Sequence, residues 1–170
     1  MTTVKHTQIL TDQQIKRIVQ RLAYQVYEQH VDAKELIIAG VKGNGTHVAK
    51  AVCEQLVAIS QVKITYTEVL INKQQPDEQE IKLKPEPVYG KGKSSVIVVD
   101  DVLNSGRTLM FALLPFVKMG CTSIQTLVLV DRNHRSFPVS ADFIGMTLAT
   151  TMQEHVEVKI EKGKFSAWLS

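Results

Sequence analysis

The sequence predicts an α/β fold with a central, mostly parallel sheet flanked by helices, and three observations predict it. Short apolar runs alternate with segments of helical periodicity, joined by short turns. One run, Val96 to Val99 (VIVV), is unbroken, as a central parallel strand covered on both faces requires. Two runs pass directly into turns rich in glycine, hydroxyl or acidic residues, and open α/β sheets bind ligands in the crevice beyond such strand ends.

Each element follows in order. Thr11 and Asp12 precede Ile15, Ile18, Val19, Leu22 and Val26 at helical spacing, predicting an amphipathic helix to about Gln29. Glu35 to Ala39 is a short strand ending at Gly40, and after a glycine-rich turn Val48, Ala49, Val52, Leu56 and Val57 resume a helical pattern. Val62 to Ile71 alternates apolar and polar positions, as a partly exposed strand does. From Asn72 to Ser95 the composition turns to Gln, Lys, Glu, Asp, prolines and glycines, a long polar insertion of the kind that forms functional lids or disordered loops.

After Val96 to Val99 come Asp100 and Asp101, a helix expected from about Ser105 to Met119, and a buried strand over Ile124 to Val130. The last stretch, Asp131 to Ser170, reads as one or two small strands flanking the main sheet. No repeat or linker divides the chain, so one domain over residues 1–170 is expected, with a lid at about 72–95 and a hood at about 131–160.

Composition bounds the function. The 170 residues are 44% hydrophobic and 22% charged, enough for a substantial core and too apolar for a disordered tail. Twenty Lys and Arg against seventeen Asp and Glu leave +3, too small an excess to imply nucleic acid or an anionic membrane by itself. Cys53 and Cys121 show no metal-site spacing and are expected as buried thiols of a reducing compartment. Residues 1–10 lack a continuous apolar segment, and no later run approaches about 18 apolar residues. A soluble, cytoplasmic protein with no membrane partner is expected.

The chemistry concentrates in Val96 to Thr108 (VIVVDDVLNSGRT). Two adjacent carboxylates at a strand end suit hydroxyl ligands. The turn Asn104-Ser105-Gly106-Arg107-Thr108 before a helix offers free amides and a helix dipole to a phosphate. Together they describe a sugar phosphate site; the plainer reading is an acid pair and a turn that satisfy only their own helix terminus. Gly40 to His47 (GVKGNGTH) has Thr46 where a Walker A loop carries lysine, and Val48 where the third glycine of a dinucleotide fingerprint belongs.

The Val96 to Thr108 segment resembles the signature of the type I phosphoribosyltransferases, which bind 5-phosphoribosyl 1-pyrophosphate. The resemblance implies that family's fold, with a flexible lid loop and a small hood. It implies that Asp100 and Asp101 contact the ribose 2- and 3-hydroxyls and serve as catalytic residues and as ligands, directly or through water, of Mg2+. Asn104, Ser105, Gly106, Arg107 and Thr108 would wrap the 5-phosphate, and Val41, Lys42, Gly43, Asn44 and Gly45 would form the pyrophosphate loop.

Leu129 to Ile144 (LVDRNHRSFPVSADFI) further resembles the pyrimidine operon regulators, the PyrR subfamily, and the similarity runs from Asp12 to Thr151. It implies uracil as the acceptor and UMP as product, with Val130, Asp131 and Arg132 beside the base, and a homodimer or homotetramer. It also leaves two other functions open: a nucleotide-sensing RNA-binding regulator with little catalysis, or transfer to a purine. The chain departs from the subfamily at Asn44, which replaces an arginine of the loop, at Tyr66 to Leu70, where an arginine before the lid is missing, and at Tyr24, which replaces a histidine. Lys73, Lys82, Lys84, Lys91 or Lys93 could restore the lost positive charge. RNA binding would draw on Arg17, Arg21, Arg132, His134 and Arg135.

Overall fold

The computed structural model describes residues 6–88 and 94–170. Strand β1 (Thr7–Leu10) leads into helix α1 (Asp12–Gln29), followed by β2 (Glu35–Val41), α2 (Asn44–Ile59), β3 (Lys63–Leu70) and β4 (Lys82–Lys84). Then come β5 (Ser95–Leu103), α3 (Arg107–Ala112), α4 (Leu114–Met119), β6 (Ser123–Asp131), β7 (Phe143–Thr147), β8 (Val156–Glu161) and β9 (Lys164–Leu169).

A six-stranded sheet runs β4-β3-β2-β5-β6-β7, parallel throughout except for the short antiparallel edge strand β4. Alternate residues of the central strands serve opposite faces. Leu36, Ile38, Ile97, Val99, Leu127 and Leu129 pack under α1 and α2, while Ile37, Ala39, Val96, Val98 and Val128 pack under α3 and α4 with Leu109, Ala112 and Phe116. Burial of each Val, Leu, Ile or Phe side chain among them stabilises the fold by about 1.5–3 kcal/mol before chain entropy is subtracted, which is why β2 and β5 read as apolar runs.

Helix α1 begins where its sequence says. Thr11 accepts from the Gln14 amide and the Gln14 side chain accepts from the Thr11 amide, a reciprocal capping box. The single helix expected over Ser105 to Met119 is instead two, broken at Leu113. Pro115 carries no N–H for the Phe111 carbonyl, so the α-helical ladder stops and α4 restarts with Phe116 donating to Leu113.

The C-terminal stretch also divides differently from the expectation. β7 joins the main sheet beside β6, whereas β8 and β9 pair antiparallel and take in β1 to make a separate three-stranded sheet, β1-β9-β8. β1 shows no sequence signal because four residues interrupted by a bulge between Gln8 and Leu10 are too short to display a period. Asp12 ties this sheet to α1 by accepting from the Phe165 amide at 3.0 Å. Among the described residues no helix is long and apolar enough to cross a membrane.

Candidate active site

β5 carries the apolar run to its end and delivers Asp100 and Asp101 at the carboxyl edge of the sheet. Asp100 is only 4% exposed, and its Oδ1 accepts from the Asp101 amide at 2.9 Å and from Lys73 Nζ at 3.0 Å. Lys73 also lies 3.9 Å from Asp101. Burial first, and the Asp101 charge second, push the Asp100 carboxyl up to about 7, with Lys73 opposing both.

Residues 104–108 turn from β5 into α3. Gly106 sits at φ +86 with its α-carbon facing Val139, so a side chain there would meet Val139 Cγ1 at 2.5 Å. The Ser105 hydroxyl accepts from the Arg107 amide at 3.3 Å, and the Ser105 carbonyl accepts from the amides of Ser136 and Phe137, which pins the turn to the segment after β6. Arg107 reaches back to Asp77 of the insertion at 2.6 Å.

The glycine-rich turn after β2 approaches from the neighbouring strand. A side chain on Gly45 would meet Asp100 Oδ1 and the Val99 carbonyl, each at 2.9 Å, so glycine is what lets the first turn of α2 touch the acid-bearing strand. Asn44 is spent structurally: its amide donates to the Val158 carbonyl of β8 at 2.7 Å.

Two adjoining spaces result. A cleft of about 190 Å³ is lined by Asp100, Asp101, Asn104, Ser105, Gly106 and Thr108, with Asn44, Lys73 and, from β8, Val156, Glu157 and Val158. A wider cavity of about 820 Å³ is lined by Lys42, Gly43, Lys73 and Lys82 among others. Of the sites expected from sequence, the acid pair and four of the five turn residues therefore share one cleft, while Lys42 and Gly43 lie in the next and Val41 is buried in the core behind them. Lys91 and Lys93 lie outside the described residues.

Val130, Asp131 and Arg132 do not line the cleft. Val130 is fully buried, and Asp131, 1% exposed, accepts from the Asn133 amide and from Arg135 at 2.7 Å each. The Arg132 guanidinium donates to Asn104 Oδ1 at 2.8 Å, to Thr150 Oγ1 at 3.0 Å, and to the carbonyls of Thr151 and Glu154. Sequence reasoning missed the β8 lining altogether; Glu157, flanked by Val156 and Val158, reads only as an outward strand position.

The carboxyl edge thus brings together paired acids, a glycine and hydroxyl turn and a lysine-lined cavity, an arrangement that can hold hydroxyls, a phosphate and a second, larger anion. Comparison with known proteins gives the family. The phosphoribosyl transferase domain family matches residues 5–161. The chain belongs to the phosphoribosyltransferase family.

Within that family, it is 36% identical to the "Bifunctional protein PyrR" of Bacillus pumilus over 163 residues, 91% of this chain and 90% of the relative. It is 34% identical to the protein of the same name from Synechocystis over 160 residues, 91% of this chain and 89% of that one. Among solved structures, the hypoxanthine phosphoribosyltransferase of Trypanosoma cruzi superposes with a TM-score of 0.74 over 95% of each chain at 14% identity, which establishes the shared phosphoribosyltransferase fold.

Proposed function

We propose that this phosphoribosyltransferase transfers the 5-phosphoribosyl group from phosphoribosyl pyrophosphate to uracil, giving UMP and pyrophosphate. The observation that carries the reading is the meeting of Asp100 and Asp101 with the 104–108 turn around one cleft. The two carboxylates accept from the ribose hydroxyls, the amides of the turn hold the 5-phosphate, and the 41–45 loop presents Lys42 and Gly43 to the pyrophosphate. The similarity to proteins named PyrR supports a pyrimidine acceptor.

Among the described residues no three His, Cys, Asp or Glu side chains converge. Two adjacent carboxylates nonetheless fit Mg2+, which takes one or two protein carboxylates and completes its shell with water and ligand phosphate. Asp100 and Asp101 would hold it, and bound there it supplies charge neutralisation of the leaving pyrophosphate.

The chain's own residues supply positioning. As the C1–O bond to pyrophosphate breaks and the C1–N bond to the base forms, the acids hold the ribose and the turn fixes the phosphate, so the anomeric carbon stays aligned. The 72–95 insertion, rooted beside Lys73, excludes the water that would otherwise hydrolyse the activated sugar. The base lies past the end of β6. There Arg132 acts as a positioning residue, since its guanidinium is committed to Asn104 and the 150–154 loop.

The relatives' name, "Bifunctional protein PyrR", points to a second function beside the first, and the resemblance to the pyrimidine operon regulators makes nucleotide-responsive RNA binding the second reading. Its basic face is restricted, because Arg21 donates to the carbonyls of Ile144 and Gly145 and Arg135 is paired with Asp131. Arg17 remains exposed. The family resemblance supports a homodimer or homotetramer, and the composition supports a cytoplasmic enzyme.

The test is nucleotide formation from phosphoribosyl pyrophosphate and Mg2+ with uracil, hypoxanthine, guanine, adenine, xanthine and orotate offered separately. Product with uracil, lost in Asp100→Asn with Asp101→Asn, is expected. Product with a purine alone would overturn the acceptor, and binding of the sugar pyrophosphate without any product would favour the regulator.

A further inference from the structure

We infer that Lys73 is a transferable cation of the active site: it neutralises Asp100 and Asp101 when the site is empty and moves to the pyrophosphate group when the activated sugar binds. The inference rests on the phosphoribosyl pyrophosphate reading of the cleft and deepens it.

Three observations carry it. The Asp100 and Asp101 side chains are 6% and 15% exposed, so the pair needs a counter-charge, and Lys73 supplies it at 3.0 and 3.9 Å. Lys73 is the one described residue that lines both the 190 Å³ cleft and the 820 Å³ cavity, and in the latter it stands with Lys42 and Lys82 against one acid, Glu80. Finally, its root is fixed while its stem is open to solvent. Ile71 is buried, Asn72 caps a turn by accepting from the Gln74 amide at 3.1 Å, and the Lys73 side chain itself is 39% exposed.

The neighbouring strand end is stitched to the same root, because the Lys42 amide donates to the Val69 carbonyl at 3.0 Å. An ammonium on a flexible four-carbon stem can exchange partners by rotating its own bonds. With the ribose hydroxyls on the carboxylates, and with the counter-charge that Mg2+ would supply if Asp100 and Asp101 held it, the lysine is released, and the nearest anion is the pyrophosphate in the cavity it already lines. Positive charge would then reach the leaving group from the root of the insertion, offsetting the loop arginine that Asn44 replaces after β2.

A lysine that only neutralises the acids makes a different prediction. Calorimetric binding of inorganic pyrophosphate and of ribose 5-phosphate, each with Mg2+, separates the two. Lys73→Gln is expected to loosen pyrophosphate about 10-fold, as loss of a charge-assisted hydrogen bond does, and to change ribose 5-phosphate by less than about threefold; Lys73→Arg keeps both. Because Lys73→Gln strands Asp100, the comparison is repeated in the Asp100→Asn background, where the lysine change still loosens pyrophosphate about 10-fold on the same basis. Unchanged pyrophosphate affinity, or equal loosening of both ligands, would overturn the transfer. A wild type that binds both ligands, with pyrophosphate held as tightly by Lys73→Gln, overturns this role alone, whereas a wild type that binds neither ligand overturns the reading of the site and the lysine's role with it.

Discussion

Arg132 Nη1 lies 2.8 Å from the amide oxygen of Asn104, so a buried guanidinium at the end of β6 holds the first residue of the 104–108 turn at the end of β5. The same head group holds Thr150 and the carbonyls of Thr151 and Glu154. Arg132→Met leaves these acceptors partly wet and removes several charge-assisted bonds, an expected loss of about 2 kcal/mol in denaturant unfolding. Ribose 5-phosphate affinity falls several-fold with it, because the turn loses its brace. Retained affinity in a destabilised variant would separate the brace from the site.

Gly45 reports on the contact between α2 and β5. Alanine is favoured over glycine in a helix by about 1 kcal/mol, yet its Cβ would stand 2.9 Å from both Asp100 Oδ1 and the Val99 carbonyl. Neither atom is the free end of a long side chain. Gly45→Ala is therefore expected to destabilise the fold by about 1–3 kcal/mol, as overpacking does, and to abolish turnover by displacing Asp100. A melting temperature above wild type would mean that the two elements can separate without cost.

These two residues show what was legible in the sequence. Gly45 belongs to a glycine-rich turn after an apolar strand, and Asp100 and Asp101 follow an unbroken apolar run, so local pattern alone located the strand ends, the central sheet and the cleft. Arg132 was placed beside the base only by the resemblance and was illegible as a brace, because its partners lie 18 to 28 positions away and a guanidinium's acceptors leave no periodic trace. For the same reason the pairing of β1 with β9, and the placement of β8 against the acids, could not be read: both depend on register between distant strands. The break at Leu113 was foreshadowed by Pro115, whose missing N–H is a local fact.

Asp12 joins α1 to the second sheet, and its contribution depends on pH. The Lys16 ammonium, hydrogen-bonded at 2.7 Å, and the Phe165 amide hold its carboxyl below the ordinary 3.8. A carboxylate depressed in the folded state binds its proton less readily there than in the unfolded chain. Its stabilisation is present above the ordinary aspartate range and is lost as pH falls through the folded value. Asp12→Asn should melt below wild type near pH 7, with the difference closing as the pH drops below 3.8. A difference independent of pH would assign the contact to hydrogen bonding without charge.

Arg107 faces a choice between the insertion and the ligand. It pairs with Asp77 at 2.6 Å, through side chains 39% and 55% exposed, so the pair itself contributes at most about 1 kcal/mol. If Arg107 also serves the 5-phosphate, the ligand must compete with Asp77 for the guanidinium. Asp77→Ala should then tighten ribose 5-phosphate about two- to fivefold at low salt, the equivalent of a pair of that strength, and the gain should shrink as ionic strength passes about 0.15 M. The opposite sign, weaker binding in Asp77→Ala, would show that the pair survives in the complex. The insertion would then be held over the phosphate by Arg107, and its closure would begin at Asp77.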